Sequence, residues 1–410
     1  MKQYVIIGNG VAAVGCIEGI RKMDKEGKII VVSEEKHHVY SRPLISYFLE
    51  NKTDLERMNY RSPDFYERMN CTVLYGKRAV SIDNLSKKVI LDDGTALDYT
   101  TVCVATGSSP FVPPFKGLET VEHKFSFLTL DDALAIKSAV NEKTKVLIVG
   151  AGLIGLKCAE GLRHIVSSIT VCDLADRVLS SILDHECAKI IQSHLEQNGI
   201  KFMLSDTAVS FEGNSALMQS GKRVDFDLLV LAVGVRANTE LLKNIGGEVN
   251  RGIIVNDRME TSISDIFAAG DCTEGNDITI GGRRVLALLP NAYMQGHTAG
   301  VNMAGGDEVF DKAIPMNSIG FFGLHLMTAG SYEGQIHEEK SEHGLKRLFT
   351  KDGYLKGFII IGDTERTGIY TSLIRERTPL DTVNFEILKK YATSAAFSQE
   401  IRRKKFGGVV

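Results

Sequence analysis

Two short clusters of small residues announce the chemistry of this chain. The first is Gly8-x-Gly10-x-x-Ala13 and the second is Gly150-x-Gly152-x-x-Gly155. Residues so spaced serve a turn that doubles back tightly, brings its backbone close to an anion and lets the next helix lie against the preceding strand. The free N–H groups at that helix start, with the positive end of the helix dipole, hold a phosphate without a cationic side chain. Each cluster has acids farther on: Glu34 and Glu35 after the first, Asp173 after the second. A carboxylate there accepts a hydrogen bond from a ribose hydroxyl. Two such clusters are far more specific than one. They imply two dinucleotides, or one fold duplicated with a single copy in use.

The elements that must position these residues are legible on either side. Tyr4 to Ile7 reads as a buried strand, Ile17 to Met23 as helix, and Ile29 to Val32 as a second strand ending on Ser33. Gly8 makes the turn, Gly10 lets the pyrophosphate approach, and Ala13 keeps helix and strand close. The same order recurs from Lys145 through a helix containing Leu156, Ala159 and Leu162 to a strand, Ile169 to Cys172. A competing reading of the N-terminus is a secretory signal ending in a lipoprotein-like Ala13-Val-Gly-Cys16. A single basic residue precedes that run, and each glycine within it costs a helix about 1 kcal/mol. The dinucleotide turn explains more of the residues.

Asp173 bears on the nucleotide. A ribose 2′-phosphate about 4 Å from its carboxylate meets a repulsion of roughly 1 kcal/mol in water and about 4 kcal/mol at an effective dielectric near 20. Asp176 adds to it, so NAD is favoured over NADP. Arg177 would oppose this if its side chain swung onto a 2′-phosphate.

The 410 residues suffice for two or three domains. With 48 basic and 51 acidic residues the net charge is −3, no footprint for nucleic acid and no pull toward an anionic membrane. The longest apolar run lies between Lys145 and Lys157, is broken by glycines, and is too short to span a bilayer. Seven cysteines, none in a CxxC spacing, point to a reducing, cytoplasmic setting with no disulfide framework and no metal site. His37 and His38 are neighbours and make a poor metal pair, better read as surface loop. His325 reads as a core or interface histidine, with a placement facing a bound cofactor as the less favoured one.

Three further segments carry a family resemblance. They are Thr101-Val-Cys-Val-Ala105-Thr106-Gly107, Leu228-Leu-Val-Leu-Ala232-Val233-Gly234, and Thr261 through Gly270-Asp271. Here the sequence resembles the two-dinucleotide-binding-domain flavoproteins, the pyridine nucleotide-disulfide oxidoreductase superfamily, from residue 1 to about 310. The resemblance implies an α/β fold: two Rossmann-like domains, the NAD domain inserted in the FAD domain, plus a small α+β C-terminal domain. The implied ranges are 1–110 and 235–312 for FAD, 111–234 for NAD, and 313–410 for the last, with 112–117 as linker. It implies FAD contacts from Gly8, Gly10, Val11, Ala12 and Ala13, from Glu34 and Glu35, and from Arg42, Pro43, Arg78 and Ala79. Ala105, Thr106 and Gly107, the Gly270-Asp271 pair, and Pro290 and Ala292 complete that set, with Asp271 on the ribityl or pyrophosphate side. NAD contacts are implied for Gly150, Gly152, Leu153, Ile154, Gly155, Asp173, Leu174, Val233 and Gly234.

The tail shows strands at Lys346 to Phe349 and Leu355 to Ile361 and helices at Tyr370 to Arg377 and Asn384 to Ala395. It resembles the C-terminal domain of NADH–rubredoxin reductases, which packs over the flavin edge and allows a homodimer. Residues 401–410 read as a frayed basic tail, alternatively as an attraction for an acidic electron-transfer protein.

Departures from the family matter as much. Disulfide reductases and related peroxidases keep a reactive cysteine in the segment that is here Tyr40-Ser-Arg42-Pro43-Leu-Ile-Ser-Tyr47-Phe-Leu49, and Pro43 stands at its counterpart. Without a thiolate there is no route from flavin to a disulfide or a peroxide by that chemistry. The segment resembles rubredoxin reductases and the flavin part of assimilatory nitrite reductases. That implies Arg42 near flavin or phosphates and Pro43 fixing a helix start; the alternative is a surface arginine before an ordinary helix. Lys157 occupies the place of a family glutamate that touches the nicotinamide amide. Glu160 is one turn away, and Lys157 itself reads as solvated. Leu289 to Gly296 reads as preceding a long helix whose N-terminus aims at the flavin pyrimidine, worth roughly 0.3–1 kcal/mol. The alternative is a capped core helix without ligand.

The resemblance therefore implies an NADH oxidoreductase with no catalytic side chain. Hydride passes to flavin N5, and electrons go on to a small iron–sulfur protein, a rubredoxin or a ferredoxin, or flow in reverse to reduce NAD. The alternatives are an NADH oxidase, the flavin module of a larger nitrite reductase, for which iron–sulfur and sirohaem segments are lacking, and an NADH-sensing flavoprotein resembling apoptosis-inducing factor that acts through partners.

Overall fold

A computed structural model describes residues 2–341 and 344–406. The chain forms two compact units, Met1–Gly275 with Leu289–Phe310, and Asn276–Leu288 with Asp311–Val410.

In the first unit, β1 (Gln3–Ile7) runs into α1 (Val11–Met23) and β2 (Lys28–Ser33). The short α2 (Ile45–Leu49), β3 (Cys71–Tyr75) and β4 (Thr101–Val104) come next. Parallel strands covered on both faces read as continuous apolar runs. Accordingly Val5 pairs with Ile30 on one side and Val102 on the other, and all three are buried.

A second sheet is built wholly from residues 124–231. It contains β5 (Lys124–Phe125), β6 (Lys145–Val149), β7 (Ser168–Asp173), β8 (Ile200–Leu204) and β9 (Leu228–Leu231) in the order β8-β7-β6-β9-β5. Two of its helices are α3 (Leu130–Ala139), opened by a Thr129–Asp132 capping box, and α4 (Leu153–Leu162). The chain then returns: β10 (Ile266–Ala268) joins the first sheet beside β4, giving β10-β4-β1-β2-β3. Next α5 (Leu289–Met303) lies along α1. That contact is closed by glycines four apart on both helices. A Cβ at Gly15 would sit 2.2 Å from the Tyr293 carbonyl oxygen, and one at Gly296 1.9 Å from that of Ala12.

The duplication reaches beyond the turns. Before the fourth parallel strand of each repeat stands a three-stranded antiparallel meander, at Ala79–Asp83, Lys88–Leu91 and Ala96–Asp98, and again at Ala208–Glu212, Ser215–Met218 and Arg223–Asp225. Both carry a register shift at the same place, between Ala79 and Ser81 and between Ala208 and Ser210.

The second unit is an antiparallel sheet of β11 (Met316–Phe321), β12 (Leu324–Gly330), β13 (Gln335–Ser341), β14 (Gly344–Lys351) and β15 (Tyr354–Ile361), ordered β11-β12-β15-β14-β13. Helices α6 (Gly368–Arg375) and α7 (Phe385–Lys390) share its core with Leu348 and Phe358. The helix expected to reach Ala395 stops at Lys390. Tyr391 is extended, and Thr393 caps a short 3-10 turn, Ser394–Ala396, through the Ala395 N–H. His325 is exposed on β12, next to buried Leu326 in the strand's alternation, so it is no core residue. Residues 401–406 belong to a helix, α8 (Gln399–Phe406), rather than a frayed tail; 407–410 lie outside the described residues. Among the described residues no helix is long and apolar enough to cross a membrane.

Candidate functional site

The first turn forms where β1 meets α1. Gly8 has φ +116°, and a Cβ there would lie 2.1 Å from the carbonyl oxygen of buried Ala105, so only glycine fits. Its N–H donates to the Val32 oxygen at 2.8 Å. Gly10 opens α1 in an extended conformation, no side chain caps the helix, and nothing lies within 4 Å of a Cβ built on Gly10. The uncapped first turn of half-buried Val11 and buried Ala12 and Ala13 therefore borders open space, carrying the partial positive charge of a helix start.

The returning chain covers this turn. Gly270, at φ +84°, passes so close that its Cβ would be 3.0 Å from that of Ala12 and 3.7 Å from that of Ala292. Gln295 holds it there, accepting the Gly270 N–H at 2.8 Å and the Thr273 hydroxyl at 3.2 Å. The neighbouring Asp271 carboxylate is half-buried and has no hydrogen-bond partner among the described residues. Burial pushes its pKa above the ordinary carboxylate value, and the Arg42 guanidinium draws it partly back. The expectation that Leu289 to Gly296 precedes the helix is corrected: these residues are its opening turns, with Pro290 exposed at the second position and Ala292 buried. Proline suits a helix start because its missing N–H would have no partner there.

Arg42 is not a free surface arginine. It donates to Glu35 Oε1 at 2.6 Å and to the Leu128 carbonyl at 3.1 Å. The Tyr40 hydroxyl donates to Glu35 Oε2 at 2.6 Å and accepts the Leu130 N–H at the start of α3 at 2.8 Å. Glu35 is thus shared between two side chains, while Glu34 is exposed. Pro43 stands in a 3-10 turn, Arg42–Leu44, that leads into α2. Arg78 is exposed, buried Ala79 begins the first meander, and Thr106 and Gly107 come after Ala105 at the end of β4.

The second turn repeats the first. Gly150 has φ +117°, its Cβ would be 2.3 Å from the Ala232 oxygen, and its N–H donates to the Cys172 oxygen at 2.8 Å. Gly152 caps α4 in extended backbone with open space before it, and a Cβ on Gly155 would be 2.0 Å from the Gly150 oxygen. Leu153 and Ile154 are half-buried at the helix start, as is Val233, and Gly234 is exposed. Asp173 accepts the Ala151 N–H at 2.7 Å on one carboxylate oxygen and the Ala175 N–H at 2.8 Å on the other. Leu174 beside it is 67% exposed. Arg177 is held away by Asp176 at 2.8 Å and by the carbonyls of Leu183 and Ser180.

Lys157 is not solvated as expected. It pairs with buried Glu160, and its ammonium lies 4.8 Å from the centre of the Tyr47 ring on α2. There α4 and α2 meet closely: a Cβ on Gly161 would be 2.9 Å from the Ser46 oxygen. His37 meets Asp131 at 2.7 Å, and the His38 ring packs at a tilt against that of Tyr66, 5.0 Å between centres. Six of the seven cysteines are buried, and burial pushes the Cys71, Cys172 and Cys272 thiols up to about 12. Tyr40, Thr273 and Gln295 were not singled out from sequence. A glutamine among the small residues of a helix face was the available signal for the last.

A match to the family model described as pyridine nucleotide-disulphide oxidoreductase covers residues 2–296, and the chain belongs to that family. It is 33% identical over 393 residues to the NADH-dependent phenylglyoxylate dehydrogenase subunit epsilon of Aromatoleum evansii, covering 92% of each chain. It is 32% identical over 390 residues to the assimilatory nitrate reductase electron transfer subunit of Bacillus subtilis, covering 92% of this chain and 50% of that one, so it spans half that relative's length. The fold superposes on the crystal structure of the covalent putidaredoxin reductase–putidaredoxin complex with a TM-score of 0.88 at 24% identity, over 96% of this chain and 97% of that one.

The family's cofactors are FAD and NAD(H). The residues present fit both. Two uncapped helix starts open onto space where a Cβ would meet nothing, and beside one lies the half-buried Asp271 carboxylate, with no hydrogen-bond partner among the described residues.

Proposed function

We propose that this chain is an FAD-dependent NADH oxidoreductase that passes electrons directly from its flavin to a small iron–sulfur protein, a rubredoxin or a ferredoxin. In this reading residues 1–110 and 235–312 hold FAD, 111–234 hold NAD(H), and 313–410 form an interface or acceptor domain. The carrying observation is that proline stands at position 43, where the disulfide reductases of the resemblance keep a reactive cysteine. The Tyr40 to Leu49 segment contains no cysteine, and burial raises the thiols of Cys71, Cys158, Cys172 and Cys272. When bound, the flavin supplies the redox chemistry, taking hydride at N5 and releasing electrons singly.

The chain's own residues bind and orient. The α1 start receives the FAD pyrophosphate, and Asp271 accepts hydrogen bonds from the ribityl side. Gln295 keeps the Gly270-Asp271 turn seated. The α4 start receives the NAD pyrophosphate, and Asp173 faces the adenosine ribose. With Arg177 engaged by Asp176 and two carbonyls, no guanidinium balances a 2′-phosphate, which supports NAD over NADP.

The test is anaerobic. The flavin-loaded protein is reduced with NADH, then mixed with oxidised rubredoxin or oxidised ferredoxin while flavin absorbance is followed by stopped-flow. Rapid reoxidation by either supports the reading. Rapid reoxidation only on admitting oxygen would make it an NADH oxidase, and a long-lived reduced state with every acceptor would favour the sensor. A second reading is favoured by the relatives' names, which describe subunits: the acceptor would then be a centre on a partner polypeptide instead of a diffusible carrier.

A further inference from the structure

The geometry points to Asn238 as a positioning residue that fixes the second dinucleotide turn relative to the first, and with it the reach of nicotinamide toward flavin. This rests on the proposed hydride transfer between the two nucleotides. The chain crosses between the two sheets twice, and the crossings pair as a short antiparallel ribbon, Ser108–Pro110 with Val235–Ala237. One end of the ribbon leaves the Ala105-Thr106-Gly107 turn, and the other leaves Ala232-Val233-Gly234. Each mouth has a glycine at positive φ with open space around it, Gly107 at +64° and Gly234 at +123°. An isolated two-stranded ribbon is marginal and twists readily. Glycine mouths at both ends give this one the makings of a hinge.

Asn238 closes it. Its Nδ2 donates to the Thr106 oxygen at 2.9 Å, and its Oδ1 accepts the Ser109 hydroxyl at 2.8 Å. Its backbone N–H donates to the Gly107 oxygen at 3.0 Å, and its own carbonyl accepts the Thr106 hydroxyl at 2.9 Å. The side chain must donate and accept at once, which aspartate and leucine cannot do. The four bonds reach Thr106, Gly107 and Ser109, so they engage the chain at and on both sides of the Gly107 joint. At the other mouth the Phe111 N–H donates to the Gly234 oxygen at 2.9 Å, and the Arg236 guanidinium lies 3.9 Å from the centre of the Phe111 ring. Asn238 is itself outside both sets of nucleotide-contact residues, although it bonds to Thr106 and Gly107 of the first set. What it holds is the angle between the two pockets.

The experiment compares flavin-loaded parent, Asn238→Leu, Asn238→Asp and Ser109→Ala. The limiting rate of flavin reduction by NADH should fall about a hundredfold in both Asn238 variants, the cost of misplacing reacting atoms by about 1 Å, and about threefold in Ser109→Ala. NADH affinity, read from the concentration dependence, should change less than about threefold, since the NAD pocket is untouched. The charge-transfer absorbance of the reduced flavin–NAD pair should weaken. Amide exchange at Phe111 and Asn238 should speed up about tenfold or more. Limiting rates within twofold of the parent in both Asn238 variants would overturn the proposal. If NADH fails to reduce even the parent, the functional reading falls instead. Exchange then decides alone: unchanged protection at Phe111 overturns the lock, and lost protection supports it.

Discussion

At Gly8 and Gly150 the backbone takes the same course, φ +116° and +117°, and a Cβ would strike the Ala105 and Ala232 oxygens at 2.1 and 2.3 Å. The surroundings of the two turns differ. The first turn is roofed by the returning chain, with Gly270 against Ala12 and α5 locked on α1. Its acid Glu35 is claimed by Arg42 and Tyr40. In the second, Asp173 staples its own turn to the next loop through two backbone N–H groups, and Leu174 stands exposed. A roofed site suits a cofactor that stays, and an open, internally braced one suits a cofactor that comes and goes. On the proposed reading, that difference rather than the turns themselves is what assigns FAD to the first site and NAD to the second.

The roof is the place to break the comparison hardest. Gly296→Val puts a branched side chain where even a Cβ would lie 1.9 Å from the Ala12 oxygen. Forced separation of α1 and α5 should cost about 3 kcal/mol or more and strip the flavin, read as melting temperature and the flavin-to-protein absorbance ratio. Retained flavin with an unchanged melting curve would show that the roof does not hold FAD. Asp271→Ala comes next. It leaves the roof intact but removes the unpartnered carboxylate, and should weaken FAD binding by about 2 kcal/mol, near thirtyfold. Its burial has a pH consequence. A carboxyl whose folded pKa is raised favours the protonated folded state, so in the apoprotein it subtracts stability as pH rises above its ordinary value toward its raised one. Asp271→Asn should remove that contribution, so the variant apoprotein should gain melting temperature relative to the parent above that window. No gain would mean the carboxyl is solvated.

The strand–turn–helix units were legible because parallel strands covered on both faces leave unbroken apolar runs, and because only glycine meets Gly8's geometry. Asp173 was legible as the acid that ends the second strand of the repeat, because it lies in the same local segment as the glycine turn. The roof was not. Its glycines on α1 and α5 are far apart in sequence, and each spacing alone is an ordinary small-residue pattern. Neither the Arg42–Glu35–Tyr40 group nor the Lys157–Glu160 pair over Tyr47 can be read from spacing, since each depends on which helix arrives beside it. The helix expected to reach Ala395 failed for a local reason that could have been weighed, since Thr393 competes for backbone N–H groups.

On the open side the expected effects are smaller. Asp173→Asn keeps one acceptor for the turn and removes the charge. NADH preference over NADPH should fall about tenfold, the scale of one screened charge repulsion. Unchanged selectivity in kcat/KM would show that Asp173 serves only its own loop and that the NAD assignment rests elsewhere.

Leu174→Ser gives the smallest change and the sharpest contrast. At 67% exposure this leucine contributes little to the apoprotein, so its melting temperature should not move. If adenosine covers it on binding, the lost apolar contact is worth about 1 kcal/mol, close to a fivefold weaker NADH affinity by titration. FAD content should stay at the parent value, because the roofed site shares no residue with it. A loss of FAD in Leu174→Ser would mean that the two turns are not independent. Unchanged NADH affinity would move the adenosine away from the end of β7, and with it the assignment of Asp173.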